Sequence, residues 1–363
     1  MDRRRLLKTA AIGAAASTLA APAIAQALPE LKWRLTSSFP KSLDTLFGGA
    51  ESFAKRVAQL SDNKFQIRVF APGEVVPALQ ALDAVQNGTV EMCHTASYYF
   101  VGKDLTFGFD AGVPFGLTAR QQHAWITQGG GAQLMRDFMA EYNVVTMPAG
   151  NTGVQMGGWF RKELKTLDDV KGLKMRIPGI GGQVWSKLGA VPQQIAGGEI
   201  YPSLERGAID GAEWVGPHDD EKLGFHKVAP FYYYPGFWEA GTQISLMVNK
   251  GLWDGLPPIY RGMIEVAAAE TNGDMMARYD HQNPQALRRL VAAGAQLRPY
   301  PREILAAAWK ATHELYDEIS GKNPKFKAVY EPWRKFRDDQ YLWFRVAELT
   351  YENFAFTAAQ TVR

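Results

Sequence analysis

A strict alternation of apolar and polar side chains runs through Phe65-Gln-Ile-Arg-Val-Phe70 and predicts a half-buried β-strand. Before it, Lys32-Trp-Arg-Leu-Thr36 predicts another strand, and apolar residues at helical spacing predict a helix over Thr45 to Leu60. After it, Pro77 to Gly88 has the pattern of a helix that the glycine ends, and Thr89 to His94 predicts a third strand. Strands and helices that alternate in this order predict an α/β lobe.

A second set of strands and helices follows residue 143. Its strand candidates are Asn143 to Met147, Val154 to Met156, Leu173 to Ile177, Tyr232 to Phe237 and Gln243 to Asn249. From Pro257 onward the pattern is predominantly helical. The last predicted helix, Pro332 to Ala359, carries apolar residues on more than one face, which indicates burial on more than one side. It either packs across both lobes or acts as a dimerisation helix exchanged between protomers.

Residues 1–25 have the features of a twin-arginine-type export signal. A basic start around Arg3-Arg4-Arg5 precedes a small-residue apolar run from Thr9 to Ala21, and Ala23-Ile-Ala25 is an A-x-A cleavage site. The apolar run is too short for a membrane anchor, which needs about 20 residues. The sequence therefore predicts cleavage between Ala25 and Gln26 and a periplasmic location.

Charge and composition exclude several classes of function. The signal segment holds four basic residues and one acid, so it accounts for the whole net charge of +3 and leaves no case for nucleic-acid binding. The one cysteine, Cys93, excludes an intramolecular disulfide and a multi-cysteine metal cluster, and its apolar surroundings predict a core thiol. The six histidines lack metal-ligand spacing, and there is no Gly-x-Ser-x-Gly motif. We therefore expect no enzyme activity.

Two motifs carry the chemistry. Lys171-Gly-Leu-Lys-Met-Arg-Ile-Pro178 predicts a short strand with an outward arginine, Arg176. Gly207-Ala-Ile-Asp-Gly-Ala-Glu-Trp214 predicts a glycine-flanked turn that delivers an acid, Glu213, beside a tryptophan. An arginine and an acid in one cleft could hold a small carboxylate, with or without a cation. These motifs predict a protein that captures an organic acid and leaves it unchanged.

Five segments in order also support a family resemblance. They are Phe70 to Glu74, Ala81 to Met92, Gly172 to Pro178, Leu188 to Pro192 and Gly198 to Glu213. With them the chain resembles the DctP-type solute-binding proteins of tripartite ATP-independent periplasmic (TRAP) transporters. It is most similar to the branch that binds 2-oxo acids such as pyruvate. The resemblance implies that the ligand closes a cleft and that the closed form docks onto a TRAP membrane permease, with transport driven by an ion gradient.

The implied fold is α/β and two-lobed, of the periplasmic-binding-protein type. It has hinge strands, a long spanning helix and an extended C-terminal helix. The first lobe is expected at 26–153, completed by about 240–270. The second is expected at 154–239, completed by about 271–330. The segment 331–363 is the C-terminal helix, a candidate dimerisation element.

We expect a role for each of five site residues, and the resemblance supports those of Arg176 and Gln155. Arg176 binds the ligand carboxylate, because a guanidinium presents parallel N–H donors that match it. Gln155 donates to the ligand or offers its carbonyl oxygen to a cation. Trp214 forms an apolar wall and Tyr99 supplies a hydroxyl donor. Glu239 accepts from the ligand or braces Arg176.

A cation follows from the position of Glu213. Its carboxylate would repel an anionic ligand unless a cation lies between them. Candidate ligands are Glu213, the backbone carbonyl of Trp214, and the amide oxygens of Gln155 and Gln243. Sodium is the favoured ion and calcium the alternative. In the structural alternative, Glu213 pairs with a lysine or an arginine.

Other functions stay open on the sequence alone. The ligand could be lactate or a bulkier carboxylate instead of a 2-oxo acid. The export signal would also suit a periplasmic enzyme exported in folded form. A third alternative is a ligand sensor that docks to a receptor rather than a permease.

Overall fold

The computed structural model describes residues 28–361, and the predicted signal segment lies outside them. Its strands, numbered along the chain, are β1 Leu31–Ser37, β2 Phe65–Phe70, β3 Met92–Thr95, β4 Val144–Asn151, β5 Trp159–Phe160, β6 Lys174–Arg176, β7 Val191–Gln193, β8 Gly211–Ala212, β9 Phe231–Tyr234, β10 Gln243–Asn249 and β11 Gln296–Pro299. They form two sheets. The five-stranded sheet has the order β2-β1-β3-β10-β4, and the six-stranded sheet has the order β11-β9-β5-β8-β6-β7.

Helices cover the sheets and fill the C-terminal third of the chain. They are α1 Leu46–Leu60, α2 Ala81–Gln86, α3 Gly108–Ala111, α4 Ala119–Thr127, α5 Gly131–Ala140, α6 Gly179–Lys187, α7 Gly197–Glu205, α8 Pro217–Leu223, α9 Lys250–Gly255, α10 Pro258–Ala292, α11 Arg302–Lys322, α12 Pro324–Val346 and α13 Glu348–Thr361. Single 3₁₀ turns lie at Ala78–Gln80, Ser97–Phe100, Leu105–Phe107, Leu167–Val170 and Phe225–Lys227. Among the described residues, none of these helices combines the length and apolar character needed to cross a membrane.

The two sheets define two lobes that the chain connects more than once. In the first lobe β1 pairs in parallel with β2 and β3, whereas β10 runs antiparallel between β3 and β4. The backbone crosses to the second lobe between β4 and β5 and returns between β9 and β10. Helix α10 packs against β4 and α1 of the first lobe and against α8 of the second. This 35-residue helix therefore spans both lobes.

The segment Val154 to Met156, a strand candidate by sequence, is not a strand. It belongs to the crossing between β4 and β5, and its backbone amides find partners in different places. The Gln155 amide donates to the Glu239 carbonyl at 3.1 Å, and the Met156 amide donates to the Val215 carbonyl at 3.0 Å. Local alternation cannot distinguish such a hinge segment from a short strand, because both are extended.

The C-terminal segment changes character along its length. In α12, Trp333 is buried, packs tilted against Phe109 and stacks on Tyr330. The hydroxyl of Tyr341 donates to the Phe115 carbonyl at 2.6 Å, which ties the helix to the first lobe. Beyond this point large apolar side chains are exposed: Leu342, Trp343, Val346, Leu349, Tyr351, Phe354 and Phe356.

Candidate ligand-binding site

A small cavity lies between the lobes, next to the β4–β5 crossing. Its walls are Phe39, Leu46, Tyr98, Tyr99, Thr152, Gln155, Arg176, Trp214, Val215 and Ile244. The lobes are closed over it, since the side chain of Gln194 in the second lobe donates to the Tyr99 carbonyl in the first at 2.8 Å. Four of the predicted site residues, Gln155, Arg176, Trp214 and Tyr99, therefore line one enclosed space.

Arg176 is fixed by three contacts and keeps one nitrogen for a ligand. It is the last residue of β6, paired in parallel with Ala212 of β8, so Glu213 follows at the same sheet edge. Its Nε donates to the Ile195 carbonyl at 3.0 Å, and Nη1 donates to both the carbonyl and the carboxylate of Glu213. Its Nη2 is buried and finds no hydrogen-bond partner among the described residues. The prediction of an outward arginine is wrong, because this edge faces the other lobe and closure buries the side chain.

Trp214 covers the guanidinium of Arg176. The indole ring centre lies 5.1 Å from the Arg176 Cζ, within cation–π distance. The ring packs closely on the start of α7, where a Cβ on Gly197 would lie 2.5 Å from its Cη2. A glycine at 197 therefore allows Trp214 to hold this position.

Glu213 is fully buried and forms an ion pair with Arg176. One carboxylate oxygen accepts from Arg176, and the other, Oε2, has no hydrogen-bond partner in the described part of the chain. Burial raises the pKa of Glu213 well above its ordinary range, while Arg176 acts in the opposite direction. The alternative in which Glu213 pairs with an arginine is thus realised, and the arginine is the ligand-binding candidate itself.

The Gln155 amide has a fixed orientation. Its Nε2 donates to the hydroxyls of Thr152 and Thr242, both at 3.1 Å. Those hydroxyls can accept because each donates elsewhere, Thr152 to the Gly153 carbonyl and Thr242 to the Glu239 carboxylate. The carbonyl oxygen, Oε1, is left without a partner among residues 28–361. Of the two predicted roles, donation to the ligand would require the Nε2 that is already bonded, whereas the carbonyl oxygen is available as an acceptor.

Glu239 supports the wall of the cavity and does not line it. Its Oε2 accepts from Thr242 at 2.7 Å and from the Tyr98 hydroxyl at 3.3 Å. Burial raises the pKa of Glu239 to about 7. Its predicted bracing of Arg176 does not occur by hydrogen bonding within the described residues, although Arg176 is close enough to lower that pKa. Tyr99 lines the cavity, and burial raises its pKa to about 12, so its hydroxyl stays protonated and is able to donate.

Gln243 is not brought to this site, and its predicted place among the cation ligands needs correction. Its Nε2 points to Asp110 Oδ1 at 3.4 Å, while the next residue, Ile244, lines the cavity. The β10–β4 ladder shifts register between Gln243 and Ser245, and in this local geometry Ile244 faces the cavity while the Gln243 amide turns to Asp110. Asp110 also accepts from Ser245 and Thr146, which places Gln243 in a structural network.

The donor set of the site suits a hard monovalent or weakly bound divalent ion better than a transition metal. Within residues 28–361 there is no group of three or more His, Cys, Asp or Glu side chains placed to hold a metal. A cation here would draw on the carboxylate of Glu213 and on neutral oxygens. Sequence reasoning missed the contributions of Tyr98, Thr152 and Thr242, since single hydroxyls at hinge positions carry no local pattern.

Comparison with known proteins places this site in a family. Residues 36–323 match the family described as bacterial extracellular solute-binding protein, family 7, also called DctP. The chain belongs to this family of TRAP solute-binding proteins. It is therefore a solute-binding receptor rather than an enzyme, as predicted.

Individual relatives are similar over nearly the whole chain. The monocarboxylate 2-oxoacid-binding periplasmic protein of Nostoc sp. is 52% identical over 361 residues, 98% of this chain and 99% of the relative. A TRAP solute-binding protein from Bordetella bronchiseptica, a dimer crystallised with copurified calcium and picolinate, is 52% identical, has a TM-score of 0.91 and covers 92% of this chain and all of its own. One from Pseudoalteromonas atlantica with bound sodium and pyruvate is 38% identical, has a TM-score of 0.87 and covers 89% and 99%. The predicted two-lobed α/β fold is confirmed.

Proposed function

We propose that this protein is the periplasmic receptor of a TRAP transporter and captures a small 2-oxo monocarboxylate such as pyruvate together with a cation. The observation that carries the proposal is the buried Nη2 of Arg176, the guanidinium nitrogen left without a partner among the described residues at the wall of the interlobe cavity. The sequence identity of 52% to a protein named as 2-oxoacid-binding supports the same ligand class.

The ligand groups follow from the chemistry of the wall. A carboxylate would bind Nη2 of Arg176, and the Tyr99 hydroxyl would donate to a second oxygen. Phe39, Leu46 and Ile244 form an apolar end that suits a methyl or short alkyl group. Because the cavity is small, the proposed ligand is a short acid such as pyruvate rather than a long or branched one.

A sodium ion is the proposed cation, with calcium as the alternative. Glu213 Oε2 and Gln155 Oε1 are the unpartnered acceptors of the described structure at this site, and the Trp214 carbonyl follows directly on the chain. One protein carboxylate and one ligand carboxylate balance a monovalent ion when Arg176 is counted as well. Relatives have been crystallised with either ion, sodium with pyruvate and calcium with picolinate.

Delivery requires partners outside the chain. We propose that the closed form docks on a TRAP permease. We also propose that the N-terminal signal directs export and is cleaved near Ala25, and that the protein forms a homodimer through α13. The exposed apolar side chains of α13 support the dimer, and the Bordetella relative is described as one. A mass spectrum of the periplasmic protein would identify its first residue.

The test is calorimetric titration of pyruvate into refolded, ligand-free protein in sodium and in potassium buffers of equal ionic strength. Saturable binding that is stronger in sodium, with pyruvate recovered unchanged, is expected. A parallel titration with lactate and picolinate separates the acid classes. Binding of lactate with no response to pyruvate would overturn the proposed ligand, and conversion of any acid would overturn the receptor assignment.

A further inference from the structure

A charged contact joins the two lobes outside the ligand cavity. Asp44 lies in the first lobe, in the turn before α1, and His218 and Lys222 lie one turn apart on α8 of the second lobe. The Asp44 carboxylate contacts His218 Nε2 at 3.0 Å and also accepts from Lys222. These partners are 174 residues or more apart in sequence, and the contact crosses from the first lobe to the second.

We infer that this contact, Asp44 with His218 and Lys222, is an interlobe latch that stabilises the closed receptor and so raises ligand affinity without touching the ligand. The inference rests on the proposed function, because it assumes a receptor that closes around its ligand. None of the three residues is among those that line the cavity. An effect of the latch on affinity must therefore act through the closed state.

Helix α8 is a rigid part of the second lobe, which makes it a suitable anchor for such a latch. Asp220 on α8 accepts from the indole of Trp159 at 2.9 Å and from the hydroxyl of Tyr232 at 2.7 Å, both on the sheet of that lobe. Its neighbour Asp219 accepts from Tyr279 of α10 at 2.7 Å. Helix α8 is thus attached to the sheet of the second lobe.

The chain also places α8 directly after the site. Trp214 is three residues before Pro217, the first residue of α8, and Val215 lines the cavity. The backbone amide of His218 donates to Asn283 on α10 at 3.0 Å, which fixes the start of the helix. Separation of the lobes would move Lys222 and His218 away from Asp44 together with the cavity wall.

The solvent exposure of Asp44 and Lys222 sets the expected effect of the latch on ligand affinity. The Asp44 side chain is 54% exposed and that of Lys222 is 27% exposed, so solvent screens the pair in part. Although partial burial acts to raise the pKa of Asp44, hydrogen bonds from Lys222 and His218 lower it, so the carboxylate is charged at neutral pH. Ion pairs of this kind contribute modestly, and we expect loss of the latch to weaken binding about threefold to tenfold.

The experiment is a double-mutant cycle on the full mature chain. Asp44→Asn, Lys222→Met and the double variant are titrated with pyruvate in sodium buffer, and the ligand dissociation rate is measured by stopped-flow fluorescence. Each single variant should bind about threefold to tenfold more weakly with faster release, and the double variant should be no weaker than the worse single one. The matched control is Glu74→Gln, which removes the exposed Lys41–Glu74 pair within the first lobe. An unchanged affinity in Asp44→Asn, or an effect equal to that of Glu74→Gln, would overturn the latch.

A second readout does not depend on the ligand. Cys93 is buried, so spin labels can be placed on Glu51→Cys in α1 and Glu205→Cys in α7, and the distance between lobes can be measured. In the ligand-free protein, Asp44→Asn should lower the ratio of closed to open forms by the same factor. An unchanged distance distribution contradicts the latch. If wild type binds no 2-oxo acid, the proposed function fails while this distance measurement still decides the latch.

Discussion

Arg176 and Glu213 form a buried ion pair in which each partner keeps one polar atom, Nη2 and Oε2, without a hydrogen-bond partner in residues 28–361. Most buried polar groups in folded proteins are paired. A pair that leaves one donor and one acceptor beside a cavity is suited to an anion and a cation bound side by side. Under the proposed function the pair would link ligand binding and cation binding, and each half can be tested separately.

Replacement of Arg176 should abolish binding at some cost in stability. Arg176→Ala removes the carboxylate donor and leaves Glu213 buried without its partner, which typically costs about 3–5 kcal/mol in the free energy of unfolding. Arg176→Lys keeps the charge but cannot make all three hydrogen bonds to Ile195 and Glu213 that orient the side chain. We therefore expect binding at least tenfold weaker. Calorimetry and urea unfolding measure the two effects, with Arg289→Ala, an exposed ion-pair residue, as control. Near-native affinity in Arg176→Lys would contradict the role of the Arg176 guanidinium in ligand binding.

Replacement of Glu213 should remove the dependence on the cation. Glu213→Gln keeps an oxygen for Arg176 but removes the negative charge that would hold sodium. Pyruvate binding should weaken by tenfold or more and become equal in sodium and potassium buffers. Titrations in the two buffers measure this, and Glu163→Gln, which breaks a more exposed pair with Arg298, is the control. A retained preference for sodium would place the cation elsewhere.

The close packing of Trp214 on Gly197 can be tested by comparing alanine substitutions at Gly197 and Gly198. Gly197→Ala places a Cβ 2.5 Å from Trp214 Cη2, so the indole must move away from Arg176. We expect about tenfold weaker binding and a shifted tryptophan emission. At Gly198 no described atom lies within 4 Å of an added Cβ, so Gly198→Ala is a control of equal helix propensity. Equal affinities in the two variants would argue against a positioning role for Gly197.

Stability should depend on pH through Asp220. Burial raises its pKa to about 6, above the ordinary value of 3.8. A carboxyl group whose folded pKa is raised contributes stability below its unfolded pKa and loses that contribution as pH rises through the folded pKa. From pH 4 to pH 7 the free energy of unfolding of wild type should therefore fall relative to that of Asp220→Asn, in which residue 220 cannot titrate. Urea unfolding of both proteins at several pH values measures the difference, and a constant difference would contradict the raised pKa.

The exposed apolar side chains of α13 predict self-association. Phe354→Asp puts a charge on a side chain that is 76% exposed, so the monomer fold should be unaffected. In a dimer that buries this side chain, the charge would lose its hydration. The variant dimer should therefore dissociate at a higher protein concentration than wild type. Light scattering after gel filtration measures the mass. Glu352→Asp on the same helix is the control, and a monomeric wild type would refute the dimer.

Local motifs were enough to predict that Arg176 and Glu213 lie in one cleft, whereas their direct pairing was only the structural alternative and the complete site was not predicted. Arg176 and Glu213 each lie in a glycine-bounded segment whose order along the chain is specific, and parallel pairing of β6 with β8 brings them to one edge. Gln243 was misplaced because the face of a strand residue depends on register, which places Ile244 toward the cavity instead. The orientation of Gln155 follows from Thr152 and Thr242, whose hydroxyls lie on different crossings of the hinge.

The sequence by itself determined the alternation of strands and helices, the long helical C-terminal third, and the residue types for an anion and a cation. These depend on periodicity and on short motifs, which act over a few neighbouring residues. Only the tertiary structure decided that Arg176 is buried and that its Nε and Nη1 donate to protein groups while Nη2 does not. It also decided that Asp44 contacts Lys222 across the cleft. The physical reason is that burial and long-range charge pairing arise when distant segments close on each other, and that arrangement is a property of the packed molecule.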